Sequence, residues 1–197
     1  MKAYQATIEG EAPLLQHRFG PEAQRKVTDT VQPDPGQRDF SGEWHDTCYL
    51  LDDGKSLYEP ATHLYRAMVL ASSRFKIKGK RGQTFKQLVG SGVVIEPDQI
   101  PLNVEIPENI EYNNTTATVY VDFRPVRVQR ARVMRERLAI NKGWKLDFTI
   151  IAPDAIPAET LNAILIEAGR LGIGDYRPEK GGPFGRFIVT SFQAVKE

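Results

Sequence analysis

A net charge of +1 on 197 residues, of which 41% are hydrophobic and 26% charged, describes a globular chain long enough to bury a core and short enough for a single domain, 1–197, with elaborations. No apolar run approaches the roughly 18 residues of a membrane helix, and no apolar signal core opens the sequence, so a cytoplasmic location without a membrane partner is expected. The one cysteine, Cys48, excludes an internal disulfide and a multi-cysteine zinc site and reads as a packed strand residue.

Lys2–Glu11 alternates as a first strand, and a polar stretch of about 18–43 with Pro33, Pro35 and Gly36 reads as a loop insertion. Thr47–Leu51 and Ser56–Tyr58 flank Asp52-Asp53-Gly54-Lys55, a hairpin signal because Asp-Gly tolerates the positive φ of a tight turn. Ala61 to about Phe75 repeats Leu64, Met68 and Ala71 at helical spacing. Lys76–Lys86 follows as a charged loop, Leu88–Ile95 is expected as a strand, and Pro97, Pro101 and Pro107 break the next stretch into short extended pieces. Thr116–Arg130 alternates around Val119, Val121 and Phe123, with Pro125 marking a bulge or an edge. Trp144–Ile151 forms a strand with an apolar face, and a helix from Ala158 to about Leu171 turns Leu161, Ile164, Leu165 and Ala168 inward. Arg186–Val195 is the last strand. Two strand–helix–strand halves predict an α+β fold, a ferredoxin-like βαββαβ sandwich with an antiparallel sheet.

Charge is unevenly spread. Residues 1–60 carry 6 Lys/Arg against 11 Asp/Glu, residues 61–145 carry 15 against 7, and residues 146–197 carry 5 against 7. The basic middle third would attract a polyanion. Within it, Arg124, Arg127, Arg130, Arg132, Arg135 and Arg137 share a short stretch with one acid, Glu136. A one-signed row interleaved with Val126, Val128 and Val133 fits a phosphate-lined groove better than a solvated face, which usually mixes signs.

Gly172–Phe187, GIGDYRPEKGGPFGRF, is a glycine-rich loop between the last helix and the last strand. Its glycines imply a tight backbone path, and Arg177, Lys180 and Arg186 add positive charge, a combination suited to phosphate oxygens. It is neither a Walker loop, lacking Gly-Lys-Ser/Thr before a helix, nor a dinucleotide fingerprint, because Arg177 occupies the third glycine position. His17, His45 and His63 lie apart without ligand spacing. No metal and no cofactor are expected.

Two motifs together resemble the RAMP superfamily, the repeat-associated proteins that form backbone and guide-processing subunits of CRISPR effector complexes. One is GIGDYRPEKGGPFGRFIV, similar to that superfamily's glycine-rich loop. The other is CYLLDDGKSLYEPATHLYRAM, similar to the hairpin, Tyr-x-Pro and first helix of backbone subunits, with Arg66 as the basic residue. The first helix departs from the family in opening Ala61-Thr62-His63-Leu64, where Lys or Arg is usual. The chain is also short for a backbone subunit, which reduces the thumb-like insertion to about 76–118.

The resemblance implies a non-catalytic binder of single-stranded nucleic acid, RNA before DNA, that assembles with copies of itself and other subunits of a ribonucleoprotein complex. Arg124, Arg127, Arg130, Arg132 and Arg135 are expected to carry most of the phosphate contacts. Arg66, Arg74, Lys78, Lys80 and Arg81 extend that surface, and Gly172, Gly174, Tyr176, Arg177, Lys180 and Arg186 shape it. Tyr176 and Phe184 are candidates for stacking on bases or for the core. Some family members cut target RNA with an aspartate before the hairpin, near Asp46, so an endoribonuclease is the first alternative. A phage-encoded interaction protein or single-stranded DNA binder is the second.

Overall fold

The computed structural model describes residues 1–20, 42–128 and 131–195, and it leaves out the side chains of Arg127, Val128 and Ala131. Arg130 and most of the expected 18–43 insertion therefore lie outside the described residues. Strand β1, Lys2–Gly10, buries Tyr4, Ala6 and Ile8 on one face, as its alternation predicts. A two-residue strand β2, Leu14–Leu15, follows it.

A short helix α1, Glu43–Thr47, leads into strand β3, Ser56–Pro60, and helix α2, Ala61–Ser72. The Asp-Gly turn is present: Leu51 N donates to Ser56 O at 2.9 Å and Tyr58 N to Tyr49 O at 3.0 Å. The arm before the turn makes only an isolated bridge, Leu50 to Leu57, and the ladder partner of β3 is strand β5, Gln99–Glu105.

The expected strand over 88–95 is mostly helix. Helix α3 spans Lys86–Gly92, and only Val94–Glu96 is extended, as strand β4. Phe85 and Val89, one turn apart, are the residues buried there, so helical periodicity overrides the apolar run. Gly92 is required by packing, since a Cβ there would sit 2.4 Å from the Pro153 ring.

Strands β6, Val119–Val128, and β7, Ala131–Ile140, form a long antiparallel hairpin. Pro125 sits within β6, tolerated because β6 is the edge of the three-stranded sheet β2-β7-β6. Strand β8, Lys145–Ala152, helix α4, Ala158–Leu171, and strand β9, Phe187–Ala194, complete the chain.

The main sheet runs β4-β8-β1-β9 with every neighbour antiparallel. Each helical crossover skips one strand: β1–α2–β4 encloses β8, and β8–α4–β9 encloses β1. That is the ferredoxin-like order. Leu64, Met68 and Ala71 of α2 and Leu161, Ile164 and Leu165 of α4 pack with Ile8, Phe148 and Ile150 of the sheet. Each such Leu, Ile or Phe contributes about 1.5–3 kcal/mol by leaving water. A smaller core of Leu15, Tyr120, Ala139 and Phe184 lies under the hairpin and the glycine-rich loop. The stretch 76–118, expected as an insertion, contributes α3, the core strand β4 and β5. No helix among the described residues is long and apolar enough to cross a membrane.

Candidate nucleic-acid interface

The arginine row is folded back on itself. In the hairpin register Arg124 stands opposite Arg135, and Arg127 opposite Arg132. Like charges directly across a ladder repel, so the arrangement needs acids nearby. Asp122, with its side chain 1% exposed, accepts from Arg124 Nε at 2.8 Å and Arg137 Nη2 at 3.3 Å. Arg137 Nη1 also reaches Asp175 of the glycine-rich loop at 2.8 Å, and Glu43 of α1 pairs with Arg135. The Arg124 guanidinium lies 4.8 Å over the Phe184 ring, a cation–π contact. Arg132 is exposed and makes no ion pair among the described residues. On the face shared with Arg132, away from Arg124 and Arg135, Phe123 is exposed, with its ring edge-on to Tyr112 at 6.2 Å.

The 76–86 loop disposes of its charge differently. Ile77 N donates to Gln83 O at 2.9 Å and Phe85 N to Phe75 O at 3.0 Å, which closes a small ordered turn anchored by buried Phe85. Lys76, Lys78, Lys80, Arg81 and Lys86 project from it, all exposed, and none is ion-paired with a described residue. No acid interrupts them. Arg74, just before the loop, is held by Glu167 of α4.

The glycine-rich loop is a tightly packed plug. Gly174, at φ 75°, lies against β2, where a Cβ would approach Leu15 O to 2.6 Å, and Asp175 N donates to that same carbonyl at 2.8 Å. Gly172 ends α4 through its N–H to Ala168 O, Ile173 N bonds Gly185 O, Gly182 N bonds Arg177 O, and Gly185 N bonds Pro13 O. Most of the loop's backbone donors are thus consumed internally. Arg177 is half-buried, donating to Gly174 O at 2.9 Å and pairing with Glu179 at 2.8 Å. Tyr176 is 40% exposed, whereas Phe184 is buried core. Lys180 and Arg186 are exposed. Lys180, Arg177 and Arg66 of α2 outweigh slight burial and hold the Glu179 carboxyl below its ordinary pKa, which brings Arg66 to this loop.

Beside the plug lies a polar hub that the sequence reading did not assemble. Glu59, fully buried at the end of β3, sits 2.6 Å from Nδ1 of His63 in the first turn of α2. Buried Gln16 donates to Tyr58 O at 2.7 Å and accepts from Tyr49 N at 3.0 Å. Burial pushes the His63 pKa down, but the hydrogen bond and charge of Glu59 win and hold it above the usual value. Burial, then the Glu59 charge, pushes the Tyr49 hydroxyl up to about 12. Asp175 is moved the other way: burial favours its neutral form, yet His17 and Arg137 hold its carboxyl well below the usual range. The signal for Glu59 and His63 was their i, i+4 spacing across the strand–helix junction.

Asp46 is exposed on α1, and among the described residues no group of three or more His, Cys, Asp or Glu could hold a metal ion. The face of the main sheet away from the helices carries Gln5, Thr7, Asp147 and Thr149, cross-bonded by Thr7 Oγ1 to Asp147 at 2.6 Å and Thr149 Oγ1 to Gln5 at 3.1 Å. Among the described residues it presents no aromatic ring, so those residues build no RRM-type stacking platform on it.

The architecture is that of a ferredoxin-like protein with a basic hairpin and a glycine-rich plug. No protein-family model matches the chain, and no curated protein matches it in sequence. Among solved structures it is similar to a chain of the Type III-B Cmr-beta assembly, determined by cryo-EM bound to cognate target RNA, with a TM-score of 0.57 at 11% identity. That likeness covers 99% of this chain and 61% of the other, so the chain spans less than two thirds of its neighbour's length. It shows a shared fold.

Proposed function

We propose that the chain is a non-catalytic, RNA-binding subunit of a multi-subunit ribonucleoprotein, similar in role to CRISPR effector backbone proteins. The observation that carries this reading is the 76–86 loop, an ordered turn displaying five cations with no acid to neutralise them. Unpaired Lys and Arg on a rigid turn are free to exchange small counterions for phosphates, the main source of affinity for a single strand. The RNA-bound assembly containing its structural neighbour supports RNA as the ligand and other subunits as partners; assembly with copies of this chain is part of the proposal. Arg132 of the hairpin, exposed, would offer a further phosphate contact.

Anisotropy of a labelled single-stranded RNA, titrated with protein over a range of salt, tests the reading. Each phosphate contact contributes a slope of about −0.7 in log K against log salt, so reversing Lys78, Lys80 and Arg81 to Glu should flatten the slope by about 2. Absence of binding at low salt, or an unchanged slope in the triple variant, sinks it.

A further inference from the structure

One edge of His63 is closed, and the ring keeps part of its surface in solvent. Its Nδ1 faces the Glu59 carboxylate at 2.6 Å, and that carboxylate is fully buried, while the imidazole side chain is 33% exposed. An ionised carboxylate can only accept, so Nδ1 keeps its proton in both charge states and titration occurs at Nε2. We propose that His63, with Arg66, forms a proton-gated phosphate subsite, in which the doubly protonated ring donates from Nε2 to a phosphodiester oxygen of the bound strand and the neutral ring releases it. The inference rests on the RNA-binding reading above.

The neutral ring presents a lone pair at Nε2, which repels a phosphate oxygen; the charged ring presents an N–H and a positive charge. The groups that face the ring come from three directions. Glu59 approaches from β3, and Tyr49, ahead of the Asp-Gly turn, lies edge-on with ring centroids 5.5 Å apart. Asp175 and Arg177 act from the glycine-rich loop, the first favouring and the second opposing the charged ring. Arg66 follows one turn later on α2, on the same side as His63, and its charge reaches Glu179. The position is thus poised: an added negative group favours the charged ring further, and loss of the proton removes a cation beside Arg66.

Proton uptake and strand binding are then linked. A bound phosphate raises the His63 pKa further, so affinity increases as pH falls through the interval between the free and bound pKa values, approaching roughly tenfold per pH unit for one proton. The test is the dissociation constant of a labelled oligouridine between about pH 6 and pH 8 at constant ionic strength. Wild type should bind more weakly as pH rises. His63→Gln should be flat and weak, His63→Arg flat and tight, and His17→Gln should keep the wild-type dependence. In parallel, an NMR titration of the wild-type imidazole should show its pKa rise when the oligouridine is added. A pH dependence that survives in His63→Gln, or vanishes in His17→Gln, or an imidazole pKa unmoved by RNA, overturns the inference and leaves the RNA-binding reading standing. Absence of binding at both ends of the pH range overturns both.

Discussion

The β6–β7 hairpin and the 76–86 loop are both densely cationic, and they dispose of that charge in opposite ways. In the hairpin, Arg124, Arg135 and Arg137 are drawn into ion pairs with Asp122, Glu43 and Asp175, acids from three different segments. In the loop, the cations have no such partners among the described residues. Charge that is already paired contributes to the fold and gains little from a phosphate, because the existing pair must first be broken. Charge that stands in water costs the fold nothing and is ready for exchange. Density of arginine is therefore a poor guide to a nucleic-acid surface; the neutralising partners decide.

The contrast breaks most visibly at Arg137. Its side chain is 4% exposed between Asp122 and Asp175, and its removal takes from the buried Asp122 carboxylate one of its two cationic partners and leaves Asp175 only His17. Arg137→Met should cost about 3–5 kcal/mol, as expected when one partner of a buried pair is lost. For a chain of this size that is a drop of roughly 10 °C in Tm by circular dichroism. Arg81→Met on the loop should stay within about 0.5 kcal/mol of wild type. Equal melting temperatures for the two variants would erase the distinction.

Acid should expose the same network. Because the Asp175 carboxyl titrates well below its ordinary range in the folded chain, its contribution is present above the unfolded pKa of about 3.9 and is lost as pH falls below it. Asp175→Asn should therefore show a smaller fall in urea midpoint between about pH 5 and pH 3 than wild type does. Parallel curves for the two proteins would mean that the Arg137–Asp175 contact carries no linkage.

The parts of the fold that could be read from sequence were those whose apolar pattern matches their period. β1, β8, β9 and α4 alternate at two or at three to four residues, and the structure places them within a residue or two of the expected bounds. Strand β7 was hidden because one of its faces is charged: Arg135 and Arg137 alternate with Met134 and Glu136, so a strand reads as a charge run. Helix α3 was hidden by Gly90 and Gly92, which suggested an extended strand; Gly92 instead makes room for the Pro153 ring, and Gly90 is exposed. The site was less legible than the fold. Asp122, Arg137 and Asp175 meet only through the hairpin and the glycine-rich plug, and no local pattern records such a meeting. Glycines in the plug announced close contact correctly; that the contact is with β2, and not with an open ligand cradle, depends on tertiary structure.

The smallest test separates paired from free charge within the hairpin itself. Arg124 and Arg132 lie on neighbouring strands, but one is paired with Asp122 and seated on Phe184 while the other is exposed. Arg124→Ala should lower stability by about 1 kcal/mol through the lost cation–π and ion-pair contacts, and should leave the salt dependence of RNA binding where it was. Arg132→Ala should do the reverse, with stability within about 0.5 kcal/mol of wild type and a salt slope shallower by about 0.7. Two side chains of one residue type on one hairpin would then differ only in what already holds them. If instead both variants shift the salt slope equally, the Asp122 pair yields to phosphate, and the hairpin belongs to the binding surface along its full length.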